Sequence, residues 1–104
     1  MVVVMTKRIL SVDEIRKSIV PICQRYGISR AYLFGSYSRN EATEDSDVDI
    51  RIEKGRLRGL FALSGFRLDI IEALQKEVDV VSQRPDTQEF LDNLKRDEVL
   101  LYEA

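Results

Sequence analysis

The chain of 104 residues contains no histidine, and it has only one cysteine, two prolines and five glycines. The absence of histidine excludes a histidine general base, a histidine-ligated zinc ion and a Ser-His-Asp triad. Cys23 has no partner for an internal disulfide, so we interpret it as a core residue of a protein in the reducing cytoplasm. Carboxylates must therefore carry any proton or metal chemistry.

The chain also lacks a basic excess, because its formal net charge is −2. General nucleic-acid binding is disfavoured by this balance. With 44% hydrophobic and 33% charged residues, the composition is that of a globular protein. We expect one domain over residues 1–104, too small for a separate acceptor-binding domain. The apolar residues 1–5 are too few for a signal peptide, so neither export nor membrane association is expected.

Two aspartates lie in a strand pattern over residues 47–53, which alternates polar and apolar residues. A strand sends successive side chains to opposite faces, so Asp47 and Asp49 share one face while the valine and isoleucines between them enter the core. Their Cα atoms are expected roughly 6.5 to 7 Å apart, near enough for both carboxylates to bind one or two cations. A solvated strand face is the simpler alternative for this pair taken alone.

A Gly-Ser pair, Gly35 and Ser36, follows an apolar strand predicted at residues 28–34. Gly35 lets backbone approach a ligand closely, and Ser36 is a good N-cap for a short helix running toward Glu41. Free N–H groups at such a helix start attract phosphate oxygens. An ordinary turn is the alternative for the pair alone, but a phosphate site followed by two acids is the layout needed for a metal-bound nucleoside triphosphate.

A third acid, Asp79, lies within a short valine-rich strand predicted at residues 77–82. A charged residue flanked by valines in a central strand requires a reason, and a third metal ligand supplies one. The alternative is an acid that faces solvent from a half-exposed strand.

The motif G-S-x-x-R, from Gly35 to Arg39, followed by S-D-x-D on a strand resembles the nucleotidyltransferase superfamily that includes DNA polymerase β. Within it, the chain is similar to the minimal nucleotidyltransferase (MNT) family over about residues 11–102. Asn40 stands where that family often has glycine, and asparagine also tolerates a positive φ. The resemblance implies an antitoxin that pairs with a HEPN-domain ribonuclease toxin and transfers AMP from ATP to a tyrosine of that partner.

The mechanism expected for such a site uses two Mg²⁺ ions, with Mn²⁺ as an alternative. Asp47 and Asp49 would bridge both ions, Asp79 would complete the ion beside the incoming hydroxyl, and the Gly-Ser pair would hold the β- and γ-phosphates. Arg39 could either reach phosphate or form a salt bridge to the acidic turn at residues 44–46. A nucleotide-binding protein without turnover and a purely protein-binding antitoxin remain open as other classes.

The order of elements predicts an α+β fold, a two-layer structure in which helices cover one face of a small mixed sheet. Helices are expected from Ser11 to Gly27, broken or kinked at Pro21, from Leu60 to Lys76, and after Pro85, capped by Asp86. Two segments are candidate docking surfaces for a protein partner, namely the basic loop 54–59 and the apolar tail 99–102. A homo- or hetero-oligomer is compatible with either surface.

Overall fold

The structure, a computed structural model, describes residues 5, 7–82 and 97–104. Helix α1 spans Val12–Tyr26 and begins at the predicted capping box, in which Ser11 and Glu14 bind each other's backbone N–H groups. The prediction that Pro21 divides this helix was wrong, because α1 continues through it. Burial of the isoleucines on either side outweighs the one backbone hydrogen bond that proline removes.

Strands β1 (Arg30–Phe34) and β2 (Val48–Glu53) precede helix α2 (Gly59–Leu74), and strands β3 (Val78–Val81) and β4 (Val99–Glu103) follow it. The four strands form one sheet in the order β3-β2-β1-β4. Strand β2 pairs with β3 in parallel, whereas β1 pairs antiparallel with both β2 and β4. The sheet is therefore mixed, and the predicted α+β class is confirmed.

Both helices cover one face of the sheet, which we call the helix face. Every second strand residue points into the core between the sheet and the helices, and these buried residues are Ala31, Leu33, Val48, Ile50, Ile52, Val78 and Leu101. From α1 and α2 the core receives Ile15, Ile19, Ile22, Cys23, Phe66, Ile70, Ile71 and Leu74. The intervening strand residues lie on the opposite face, which we call the open face. In the described part of the chain, no helix is both long and apolar enough to cross a membrane.

Three elements differ from the sequence patterns or extend them. The continuous apolar run of β1 is typical of a strand buried on both faces, but its burial alternates, with Tyr32 and Phe34 only partly covered on the open face. The apolar tail forms the edge strand β4, in which Leu100 stays exposed. The final helix expected after Pro85 falls outside the described residues.

A buried ion pair lies on the open face at the middle of β2. Arg51 donates two hydrogen bonds of 2.8 Å to the carboxylate of Glu98, and the two side chains are only 14% and 8% exposed. The guanidinium also stacks on the ring of Tyr32, 4.4 Å from its centroid. The Glu98 bond raises the pKa of Arg51 further above its usual value. Glu98, the residue just before β4, thus covers this part of the open face.

Glu98→Ala is expected to destabilise the fold by about 3–5 kcal/mol, because it leaves the Arg51 charge buried and unpaired. Urea unfolding followed by circular dichroism measures the loss. Glu103→Ala is the control, since the Arg30–Glu103 pair is exposed and is expected to contribute under about 1 kcal/mol. Equal effects of the two substitutions would contradict the assignment of Arg51–Glu98 as a buried pair.

Candidate active site

The sheet register brings two of the predicted acids together. Asp49 on β2 and Asp79 on β3 are direct partners in the parallel pair, so their side chains leave neighbouring strands on the same face. Adjacent strands lie about 4.8 Å apart. Both aspartates are on the open face, away from the helices, which is where the sequence pattern predicted Asp79 to be.

The third acid, Asp47, lies just before β2 and is exposed. Burial first, and then the negative charges of Asp79 and Asp47, raise the pKa of Asp49 above its usual value. A hydrogen bond shared with Asp79 acts in the same direction, whereas Arg39 opposes it. The three acids therefore form one electrostatic cluster, in which each negative charge disfavours the ionised form of Asp49.

The donor set of this cluster suits a hard divalent cation, because it consists of carboxylate oxygens that repel one another without a positive charge between them. As the side chains of the described residues stand, no three acidic or cysteine residues are placed to hold one ion. Asp47 and Asp79 are both exposed, so their side chains can rotate toward Asp49 without disturbing the core. The three carboxylates and their arrangement fit a divalent metal, and metal binding requires that the Asp47 and Asp79 side chains rotate toward Asp49.

Asp79→Asn is expected to stabilise the ligand-free protein, because it removes a negative charge beside the half-buried Asp49. The gain should be on the order of 1 kcal/mol, which raises the melting temperature of a domain of this size by about 4–8 °C. Thermal unfolding in EDTA at neutral pH measures it. Glu72→Gln, at an exposed acid of α2, is the control and should leave the melting temperature unchanged. A destabilised Asp79→Asn protein would mean that this carboxylate has a structural role.

The Gly-Ser pair begins a series of turns at residues 35–40, not the short helix predicted there. One helical bond forms, from the Arg39 N–H to the Gly35 carbonyl, but Glu41 then bonds Ser36 five residues back and the pattern does not continue. Ser36 is consequently not a helix N-cap. Asn40 has φ 59°, so asparagine does adopt the left-handed conformation expected of it.

This turn nevertheless offers donors to a ligand. Among the described residues, the backbone N–H groups of Ser36, Tyr37 and Ser38 have no hydrogen-bond acceptor. The Tyr37 ring is buried in the core at 5% exposure and anchors the turn, while the Ser38 hydroxyl donates to the Gly35 carbonyl at 2.8 Å. Successive unpaired N–H groups form an anion-binding concavity without a regular helix.

Gly35 joins the turn to the acids. Its φ is 74°, and a Cβ built on it would clash with Oδ2 of Asp49. The first turn residue therefore lies directly against the central carboxylate of the cluster. This contact places the free N–H groups of the turn and the three aspartates at one corner of the sheet.

Arg39 is the remaining predicted site residue. Its Nε donates to Glu41 at 3.2 Å, and its Nη1 lies 4.0 Å from Asp97. Arg39 forms no described ion pair with the acidic turn at residues 44–46, so the predicted salt bridge to that turn was wrong. It is close enough to Asp49 to lower the pKa of that group, which keeps its charge at the edge of the site.

Lys76 is a residue that the sequence patterns did not single out. It is only 3% exposed, and its Nζ donates to the Glu44 carbonyl at 2.8 Å, so it holds the acidic turn that leads to Asp47. Lys76 and Asp47 line the same cleft of about 180 Å³. A lysine directly before a strand gives no signal of burial, which is why only the structure identifies it.

The cationic loop at 54–58 does not belong to this site. The loop follows Glu53, the last residue of β2. Glu53 is four residues beyond Asp49, which corresponds to about 13 Å along the strand. The alternative that its cations reach the same triphosphate is therefore not supported.

Comparison with known proteins is consistent with this geometry. A family model described as polymerase beta, nucleotidyltransferase matches residues 17–104. MJ0435 of Methanocaldococcus jannaschii, assigned as a protein adenylyltransferase, is 42% identical over 70% of this chain and 78% of its own. A solved structure assigned as a minimal nucleotidyltransferase superposes with a TM-score of 0.72 at 28% identity, over 86% of this chain and 95% of that one.

A further solved structure shares the fold at lower identity. It contains a tri-AMPylated HEPN toxin of Shewanella oneidensis in complex with an MNT antitoxin. The matched chain superposes with a TM-score of 0.65 at 20% identity, over 89% of this chain and 73% of that one.

Proposed function

We propose, from the premise that this chain belongs to the polymerase beta nucleotidyltransferase family, that it transfers AMP from ATP to a hydroxyl of a HEPN-domain toxin and acts as its antitoxin. The names of its relatives support the reaction class, and the complex of an AMPylated HEPN toxin with an MNT antitoxin supports the acceptor. The observation that carries the proposal is the contact of Gly35 with Asp49, which joins a phosphate-binding turn to a carboxylate cluster.

Asp47, Asp49 and Asp79 would hold the divalent metal, Mg²⁺ or Mn²⁺. When bound, the metal supplies positive charge for the oxygens around the reacting phosphorus, as divalent metals generally do in phosphoryl transfer. The carboxylates themselves fix the position of that charge, because Asp49 and Asp79 project from paired strands. Their mutual repulsion in the ligand-free protein gives them a high electrostatic preference for a cation.

The turn after β1 would bind the phosphates of ATP. The unpaired N–H groups of Ser36, Tyr37 and Ser38 can donate to phosphate oxygens, and Gly35 leaves room for the nucleotide beside Asp49. Arg39 stands at the rim of this site and can add a charged donor by leaving Glu41. These groups hold the leaving pyrophosphate and orient the α-phosphorus toward the acceptor.

The acceptor hydroxyl would approach from the Asp79 side, because Asp79 is exposed whereas Asp49 is partly covered. A bond forms between the acceptor oxygen and the α-phosphorus, and the bond from that phosphorus to the bridging oxygen of pyrophosphate breaks. Asp79 would accept the proton of the attacking hydroxyl, because a carboxylate can act as the general base in a protein without histidine. The products are a protein carrying AMP and pyrophosphate.

Intact-mass spectrometry tests the proposal. The chain is incubated with ATP, Mg²⁺ and a HEPN-domain protein from the same genome, and the mass of that protein is expected to increase by AMP units. Peptide mapping then locates the modified side chain, expected to be a tyrosine. Omission of ATP is the control, and replacement of ATP by GTP, CTP or UTP determines the base.

Two outcomes would reject the enzymatic assignment in favour of the other classes. A partner that is bound and inhibited with no added mass, while ATP still raises the melting temperature of the chain, indicates a nucleotide-binding protein without turnover. Inhibition of the partner with no effect of ATP on either protein indicates an antitoxin that acts by binding alone.

A further inference from the structure

The structure exposes two large apolar side chains at the start of α2. Phe61 is 97% exposed and Leu60 is 81% exposed. About two helical turns further on, Leu68 is also exposed. A small domain has an energetic reason to bury such side chains, and a contiguous pair of them marks an interaction surface.

Three cations that have no acidic partner among the described residues lie just before this pair in the chain. Within residues 7–82 and 97–104, no carboxylate forms a salt bridge with Lys54, Arg56 or Arg58. The other described arginines all have acidic partners, and these are Arg8, Arg16, Arg25, Arg30, Arg39, Arg51 and Arg67. Among the described residues, the arginines outside this loop are thus neutralised by acids, whereas Arg56 and Arg58 are not.

The start of α2 adds to that positive potential. Arg58 is the N-cap residue but makes no side-chain capping bond, and the first turn contains no acidic residue. The first N–H groups of a helix carry a partial positive charge and are normally satisfied by a capping group or an acid. A carboxylate from another molecule would find both the cations and these N–H groups within one short stretch.

The loop is held in place by its own contacts. Leu57 is buried at 2% exposure, and the Arg56 N–H donates to the Gly27 carbonyl at 2.9 Å. Arg58 donates to the carbonyls of Gly55 and Leu57 at 2.7 and 3.1 Å. Because the backbone is anchored to the end of α1, a partner meets a pre-organised surface and binding loses less conformational entropy.

We propose that Lys54, Arg56, Arg58, Leu60 and Phe61, which we call the α2-entry surface, dock a partner protein through an apolar side-chain pocket flanked by carboxylates. This inference rests on the proposed function, and the partner is the acceptor protein of that reaction. The surface lies at the opposite end of β2 from the acids. A partner bound there leaves the active-site corner free for its acceptor hydroxyl.

The same observations disfavour other occupants. A second copy of this chain in a two-fold contact would bring its own basic loop against this one, which places like charges together. A nucleic acid would use the cations, but it has no favourable contact for the aliphatic Leu60, and the chain has a net charge of −2. An acidic protein surface with an apolar centre satisfies both the charge and the exposed side chains.

Binding of the acceptor protein by isothermal titration calorimetry tests the inference. Leu60→Ser/Phe61→Ser is expected to weaken binding by about 30-fold or more, as for central interface residues. Arg56→Glu/Arg58→Glu should also weaken it, and its effect should diminish as salt is raised. Leu100→Ser, at an exposed apolar residue of β4, is the matched control and should bind like the wild type.

A second measurement separates this inference from the proposed function. The rise in melting temperature with ATP and Mg²⁺ should be the same in wild type and in the Leu60→Ser/Phe61→Ser protein, because the site is distant and the fold is intact. Normal acceptor binding by that variant, or loss on Leu100→Ser instead, would overturn the α2-entry surface. The α2-entry surface would also be overturned if the wild type failed to bind the acceptor protein. The same holds if this surface bound polyuridylate RNA or phosphatidylserine vesicles instead of that protein. Normal docking without AMP transfer would reject only the enzymatic proposal.

Discussion

Asp47→Asn/Asp49→Asn is expected to abolish AMP transfer, with a loss of at least about 10³-fold in rate. Loss of one positioned donor for a developing charge already costs about 10²- to 10³-fold, and this variant removes two charges that would position the metal. The carboxylates are replaced by amides of the same shape, so Gly35 keeps its neighbour and the sheet keeps its register. Intact-mass spectrometry of the partner over a time course measures the effect.

The same variant should lose the rise in melting temperature that ATP and Mg²⁺ give to the wild type, because ligand binding stabilises the folded state by mass action. Asp45→Asn is the matched control, since Asp45 is an exposed acid of the neighbouring turn whose carboxylate lies 3.9 Å from the Lys7 ammonium. It should retain both the transfer and the thermal shift. Mass additions that persist with the double variant would locate the chemistry elsewhere.

The strand patterns predicted the acidic corner because β-strand periodicity is strict. Residues two positions apart on a strand lie on the same face. The placement of Asp47 with Asp49 therefore follows from the sequence once the strand is assigned. The position of Asp79 required the pairing of β2 with β3, a contact between distant parts of the chain. Its flanking valines indicated a central strand, but β3 is an edge strand of the described sheet and Asp79 is exposed. The pairing of Asp49 with Asp79 puts the two acids on the same face.

The turn after β1 was harder to predict. Ser36 and the residues after it match the local signature of a helix start, but a helix needs several successive bonds before it is stable. Burial of the Tyr37 ring and the hydrogen bond from Ser38 to Gly35 favour a tighter path. These are tertiary interactions, and local propensity contains no information about them. The proposed phosphate site needs free N–H groups and no regular helix, and an irregular turn also provides such groups.

Charge partners were the least predictable feature. A salt bridge to the acidic turn was one of two alternatives for Arg39, and Arg39 pairs with Glu41 and Asp97 in place of that turn. Its contact with phosphate stays a prediction. The burial of Arg51 against Glu98 joins residues 47 positions apart, and no periodicity relates them. Long side chains can reach many acids, so the sequence defines the candidates and only the fold selects among them. The assignments of site residues to catalysis and to metal binding stay predictions until the variants are measured.

Gly35→Ala is expected to reduce ATP binding more than any other single change in the turn. The added Cβ would clash with Oδ2 of Asp49, and both atoms belong to the proposed site. Relief of the clash must displace either the turn or the carboxylate, so the phosphate donors and the metal ligands can no longer act together. A loss of about 10²-fold or more in ATP affinity, measured by calorimetry with Mg²⁺, is expected, since misplacement by about 1 Å can have that effect.

The control for this prediction is Gly59→Ala, because Gly59 has a similar positive φ of 83° but open space around its Cβ position. Both substitutions carry the backbone strain of alanine at a positive φ, about 1–3 kcal/mol, so both should lower the melting temperature of the ligand-free protein. Only Gly35→Ala should also lose ATP affinity. Ser36→Ala removes only the hydroxyl and keeps the backbone N–H, so its effect should not exceed the roughly 0.5 to 2 kcal/mol of one hydrogen bond. If Gly35→Ala and Gly59→Ala bind ATP equally well, the contact between Gly35 and Asp49 has no part in nucleotide binding.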